Sequence, residues 1–267
     1  MKIKQQNNLI NSFISLKTDD WLERQRIAGK VVAKTLEFLA NLVKNKSKLS
    51  LIEMSCAADE LIRKHNCTST FLNYRGFPAA VCISVNKQLV HGIPTDYQLE
   101  DGDLVSFDLG ATYEGVIADA ARTYIYGEPK SKEHIKLIET TKLCLSNAIN
   151  SISIDKQIGV IGNTIYKTAQ GAGFNIIEKY GGHGICCNKP HAEPFVSNKA
   201  NKSDGVRIQS GMTLAIEPLL VIGKSNITHT ASDGWTVYCD DICAHEEHTI
   251  FIHQNKIEIL TDINNYI

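Results

Sequence analysis

The stretch from Leu104 to Tyr126, LVSFDLGATYEGVIADAARTYIY, admits few structures. Two runs of alternating apolar residues flank Tyr113-Glu114-Gly115, where glycine supplies the backbone freedom that a reversal needs. The pattern predicts a β-hairpin. Side chains alternate along a strand, so Val105, Phe107 and Leu109 share one face and Ser106, Asp108 and Gly110 the other. In the returning strand Asp119 is set among Ile117, Ala118, Ala120 and Ala121. Such a hairpin can bring Asp108 and Asp119 side by side, facing inward from an apolar sheet. Two close carboxylates there need a counter-charge, or one of them holds a proton. The alternative is a pair of solvated edge aspartates.

A chain of 267 residues can bury one large core or two intimate halves. Its 43% hydrophobic and 21% charged content is that of an ordinary globular protein, and its net charge of -1 predicts no general affinity for nucleic acid or anionic membrane. No run of roughly 18 apolar residues is present to span a bilayer. The opening MKIKQQNNLINSFISLK is too polar for a secretory signal, so the expected address is the cytoplasm. Cys56, Cys67, Cys82 and Cys144 lie singly in apolar contexts, as reduced core thiols do. Cys239 and Cys243 form C-x3-C, but no second pair follows at zinc-finger spacing.

Residues 1–18 read as a short polar lead-in, and 19–267 as a single domain without a dividing linker. From Asp19 the pattern turns helical, with Trp21, Leu22, Ile27, Val31, Leu36, Leu39 and Leu42 at three- and four-residue steps and Thr18 or Asp19 as the cap. A second helix is expected over Leu51 to His65, a third over Lys132 to Ile149 with Ile135, Ile138, Leu143, Leu145 and Ile149 inward, and a fourth over Ile158 to Ala169, ended by Gly171 and Gly173. Between the second helix and the hairpin, a loop-rich region surrounds the strand-like VCISV. The order of longer helix, connection, shorter helix and strands thus occurs twice. An α+β fold follows, with two similar halves facing each other across a mostly antiparallel central sheet.

Further segments place polar residues beside unusual neighbours. Gly181-Gly182-His183-Gly184 sets an imidazole where backbone can crowd close, and PHAEP brackets His191 and Glu193 with prolines. Glu217 ends the apolar run Met212–Ile216, and Glu247 opens the strand-like EHTIFI. A carboxylate at the end of an apolar strand costs free energy unless charge or hydrogen bonds offset it. Asp108, Asp119, His183, Glu217 and Glu247 make four carboxylates and one imidazole. Two divalent cations neutralise such a set, and its mostly oxygen donors suit manganese, iron, cobalt or zinc.

The segments VHGIP, SFDLGATYEGVIADAART, GGHGI, GMTLAIEP, DGWTV and EEHTI resemble methionine aminopeptidase, type I, over about Asp20 to Thr261. The resemblance implies the pita-bread fold and hydrolytic removal of initiator methionine from nascent chains with a small second residue. It puts the five metal ligands on Asp108, Asp119, His183, Glu217 and Glu247, with Glu217 also shuttling a proton. It makes His191 the residue that stabilises the scissile carbonyl, and His91 the contact of the leaving amide nitrogen. The methionine pocket falls on Tyr74, Phe77, Cys82 and Trp235. Nascent N-termini are the implied partner, with possible ribosome contact through the body of the domain, and the protein is expected to be a monomer.

Some positions depart from the family pattern. The segment after His183 reads GHGICCNKPH, one residue longer than usual, with Cys186, Cys187 and Pro190 replacing Gly, Arg and Phe. Arg75 stands where many bacterial members carry His, and Phe71 where many carry Cys. Thiols at 186 and 187 would flank the metal loop, where oxidants or electrophiles could block the cleft. Two alternatives remain: an aminopeptidase P or prolidase of the same fold, and a non-catalytic scaffold that has lost its metals.

Overall fold

The computed structural model describes residues 14–224 and 227–266, so positions 1–13 of the expected lead-in lie outside the described residues. Helix α1 (Asp19–Lys44) begins where the Thr18 hydroxyl accepts the Trp21 amide. Helix α2 (Leu51–Lys64) starts behind a capping box: the Ser50 hydroxyl accepts the Glu53 amide, and the Glu53 carboxylate accepts the Ser50 amide. Two otherwise orphaned helix-end donors are thereby satisfied. Helix α3 (Lys132–Ser151) is capped by Ser131, and α4 (Gly159–Ala172) ends on Gly173 at φ 88°. Gly171, expected at that end, lies inside the last turn.

The inward faces differ in part from the predicted ones. Ile27, Ile135 and Leu143 are 40%, 38% and 51% exposed. In α1 the buried stripe runs through Leu22, Gln25, Ala28, Gly29, Val32, Leu36 and Leu39, opposite Ile27. Small and polar residues on that stripe hide it from hydrophobic spacing. A Cβ at Gly29 would lie 2.1 Å from the Leu260 carbonyl oxygen, so glycine there sets how closely helix and C-terminal strands approach.

The strands are β1 (Thr68–Ser69), β2 (Cys82–Val85), β3 (Gln88–Val90), β4 (Leu104–Tyr113), β5 (Val116–Ile125), β6 (Asn175–Ile176), β7 (Gly181–Cys186) and β8 (Lys189–Ser197). Then come β9 (Thr213–Ile216), β10 (Leu219–Val221), β11 (Thr228–Thr230), β12 (Val237–Cys239), β13 (Cys243–His245), β14 (His248–Ile252) and β15 (Ile257–Ile259). In one ladder β4 pairs with β1, β2 and β5; a second runs β15-β14-β9-β7-β8. The shorter ladders β13-β10-β6 and β11-β12-β3 complete the set, and every one of these pairings is antiparallel.

Each half has its own core. Val105, Phe107 and Leu109 of β4 pack with Val32, Leu36 and Leu39 of α1, whereas Leu137 and Ile161 of α3 and α4 pack with Leu214 and Ile216 of β9. The hairpin forms as predicted, but its register refines the carboxylate placement. Asp108 faces Ala121 and Asp119 faces Gly110, so the two aspartates are diagonal neighbours on one face instead of side by side.

Candidate metal centre

All eleven residues singled out above for metal, substrate or proton transfer line one cavity of about 330 Å³. Asp108 and Asp119 project from the middles of β4 and β5, and His183 from β7. Glu217 follows the last residue of β9, and Glu247 precedes the first of β14. Both halves therefore contribute, and polar contacts join their edges at this point. The Thr249 hydroxyl accepts the Asp119 amide at 2.8 Å and donates to the Asp119 carbonyl at 2.7 Å. The Glu247 amide donates to the Ala121 carbonyl at 2.9 Å, and Arg122 donates to the Glu247 carbonyl. The Thr123 hydroxyl accepts the His245 amide and donates to the His245 carbonyl.

Glycine sets His183 in place. A Cβ at Gly182 would sit 2.2 Å from the Ala215 carbonyl oxygen, and one at Gly184 2.1 Å from that of Glu193. Strand β7 is thus pressed between β9 and β8 more tightly than side chains allow. His183 Nδ1 faces the Gly184 carbonyl at 3.1 Å, which places the ring proton there and frees Nε2 as an electron-pair donor. That Nε2 lies 3.6 Å from Glu217 Oε1.

Donor atoms of Asp119, His183 and Glu247 lie within 4.8 Å of one another, a grouping that can hold an ion. Asp108 and Glu217 line the same floor. Oδ1 of Asp108 and Oδ1 of Asp119 are buried without a hydrogen-bond partner. Burial pushes the Asp108 carboxyl up to about 7, with the Glu217 charge adding to the shift and the His245 charge opposing it. Asp119 and Glu247 are raised well above the carboxylate range, again first by burial and then by neighbouring carboxylates. Burial also raises Glu217, but contact with His245 and the surrounding imidazoles outweigh it, and the net direction is down. Orphaned acceptors and mutually repelling acids are what a divalent cation resolves, so these residues fit such an ion.

Above the floor, His91 follows β3 in the left-handed region at φ 57°. Its ring meets Tyr180 and Trp235 edge-on, at centroid distances of 6.0 and 6.2 Å. His191 stands 4.6 Å from the His183 ring and 5.7 Å from that of Tyr74. Desolvation of its ring, then the adjacent His183 imidazole, pulls His191 down to about 4, and burial also lowers His91; both are neutral at pH 7. The register between β7 and β8 is irregular before His191, with breaks at His183/Gly184 and Gly184/Cys186. Phe77 and Trp235 form an edge-to-face pair at 5.3 Å, and Cys82 sits opposite Asp108 in the ladder.

Several contributors are not evident from sequence. His245 is buried, with Nε2 3.5 Å from Glu217 Oε2. Asn198 is fully buried and donates to the Glu217 carbonyl at 2.9 Å. The EEHTI segment adjoins His245, but nothing in its spacing marks that residue. Cys186 and Cys187 lie at the β7–β8 turn, at the end of the strand that carries His183, and are not among the residues lining the cavity. The Asn188 amide there donates to the Gly115 carbonyl at 3.1 Å, which directs the turn against the β4–β5 hairpin. Cys239 and Cys243 are buried free thiols.

Residues 23–254 match metallopeptidase family M24. The chain belongs to that family. The methionine aminopeptidase of Mycoplasma capricolum is 39% identical over 250 residues, 93% of this chain and 98% of its own. That of Escherichia coli is 35% identical over 251 residues, covering 93% and 94%. The crystal structure of methionine aminopeptidase from Thermotoga maritima superposes with a TM-score of 0.87 at 35% identity, covering 93% of this chain and 99% of that one. Prolidase from Pyrococcus furiosus reaches 0.74 at 20% identity and is covered over 67% of its length, a likeness of fold alone. The M24 chain is thus a metal-dependent hydrolase with the expected pita-bread architecture.

Proposed function

We propose that this M24 enzyme is a methionine aminopeptidase that removes the initiator methionine from nascent polypeptides with a small second residue. The observation that carries the reading is the convergence of four carboxylates and His183 on the floor of a cavity walled by Tyr74, Phe77, Cys82 and Trp235. Asp108, Asp119, His183, Glu217 and Glu247 would hold two divalent ions, of cobalt, manganese, iron or zinc, since four carboxylates balance four positive charges. When bound, such ions lower the pKa of water and polarise a carbonyl.

The chain's own groups supply the remainder. Glu217, the floor carboxyl with lowered basicity, stays ionised and takes the proton of the attacking water. His191, neutral with one N–H, donates to the scissile carbonyl oxygen as negative charge develops there. His91 contacts the amide nitrogen that leaves as the amine. The aromatic and thiol wall takes the thioether, whose polarisable sulfur suits such surroundings. Residues 19–267 act as one catalytic domain because the proposed ligands come from both halves.

The same reading places a monomer in the cytoplasm, working on emerging N-termini with possible ribosome contact through the domain surface. No helix among the described residues is long and apolar enough to cross a membrane. Purified protein with added cobalt or manganese should release methionine from Met-Ala-Ser and leave Ala-Pro-Ala intact, and chelation should abolish turnover. The opposite peptide preference would move the assignment to the prolidase branch. A chain that binds no metal and cleaves neither peptide would be a scaffold.

A further inference from the structure

The cavity lining divides into a floor of acids and a rim of cations. The exposed residues among those lining it are Arg75, Lys179, His191 and Phe195, and the two fixed charges in that set are both positive. The Arg75 guanidinium lies over the Tyr74 ring at 5.4 Å, and the Lys179 ammonium over the Tyr180 ring at 5.5 Å. Among the described residues neither has a carboxylate within 4.0 Å. Of the acids close in sequence to the rim residues, Glu178 pairs with Lys199 at 2.8 Å, and Glu193 accepts the Phe195 amide at 3.2 Å.

Backbone conformation adds a second observation. Arg75 has φ 50° and ψ 27°, in a turn where Asn73 and Gly76 also have positive φ. A non-glycine residue in this region is strained by about 1–2 kcal/mol. The turn thus holds a cationic side chain across Tyr74 where glycine would be less strained. Tyr74 in turn adjoins His191, so the Arg75 charge stands next to the path of a bound peptide.

We propose that Arg75 and Lys179 select N-termini carrying acidic side chains just beyond the small second residue. The inference rests on the methionine aminopeptidase reading. With methionine against Phe77 and Trp235 and its carbonyl beside His191, the polypeptide leaves through the cavity mouth. An extended chain advances about 3.3 Å per residue, so the third and fourth residues pass the rim. Acidic side chains there meet two unpaired cations, whereas lysines meet repulsion. The floor acids do not reverse this preference, because bound divalent ions neutralise them. Each exposed pair should be worth about two- to five-fold in kcat/KM, with strong sensitivity to salt.

The test compares kcat/KM for C-terminally amidated Met-Ala-Ser-Ser, Met-Ala-Asp-Asp and Met-Ala-Lys-Lys in the metal-loaded enzyme. The acidic peptide should exceed the basic one by about five- to ten-fold at low salt and approach parity near 0.5 M salt. Arg75→Gln with Lys179→Gln should bring the ratio toward one, and Arg75→Glu with Lys179→Glu should invert it. An acidic-to-basic ratio near one in the unaltered enzyme at low salt overturns the proposal, as does a ratio that survives both charge changes. Turnover of the neutral peptide with no charge preference would overturn this inference alone, leaving the catalytic reading intact. No release from any of the three would overturn the catalytic reading and this inference with it.

Discussion

Asp233 shows how one side chain can shape a pocket it does not line. Its carboxylate accepts the Trp235 amide at 2.8 Å, the Thr236 amide at 2.9 Å and the Thr236 hydroxyl at 2.6 Å. That hydroxyl also accepts the Ile93 amide at 3.3 Å. The DGWTV turn is thus locked, with Trp235 against Phe77 and beside His91. Burial pushes the Asp233 carboxyl up, but the bonds to Thr236 and Trp235 outweigh it, and the net direction is down. Asp233→Ala frees the indole without touching the floor of the cavity. Losing these three hydrogen bonds, each of about 1 kcal/mol and in part replaced by water, should raise KM for Met-Ala-Ser about ten-fold. Steady-state kinetics should show a much smaller change in kcat.

Among the elements, β7 carries the strictest packing demand. Gly184→Ala drives a methyl into the Glu193 carbonyl and should part β7 from β8, at a cost of about 1–3 kcal/mol. Calorimetric titration should show weakened manganese binding, because His183 moves with its strand. Gly171→Ala is the contrasting change: nothing lies within 4 Å of its added Cβ, and α4 should gain up to about 1 kcal/mol. The crowding at Gly182 and Gly184 was legible in sequence because glycines flank a histidine. So was the hairpin, because alternation and a turn glycine are local signals. Gln25 was not legible: it is fully buried, donates to the Ile117 carbonyl and accepts the Thr213 hydroxyl. Its partners lie 92 and 188 positions away, so local periodicity cannot show why a polar residue belongs inside. The same holds for Asn198 and His245, whose contacts to Glu217 join separate strands of the second half and lie beyond the reach of local spacing.

Across the whole molecule, the first helix is tied to the last strands by charge. Arg26 makes a two-pronged contact with Glu258, Nε to Oε1 at 2.6 Å and Nη2 to Oε2 at 2.8 Å, and His253 Nε2 lies 2.7 Å from Oε2. The Arg26 contact, outweighing burial, holds the Glu258 carboxyl down at about 2. A depressed carboxyl contributes its stability above its unfolded pKa and loses it as pH falls toward the folded value. The contribution is therefore complete above about pH 4.5 and fades toward pH 2. Discounted for partial exposure, Glu258→Gln should cost about 1 kcal/mol at pH 7. Urea titrations at several pH values should show the gap to the unaltered protein closing in acid.

The five proposed ligands are spread from β4 to the edge of β14, and this dispersal bears on biosynthesis. A growing copy displays its first two acids long before Glu247 has been translated, and Thr249 has yet to brace Asp119. On this reading of the ligands, the complete set exists only after the strand that carries Thr249 has been made.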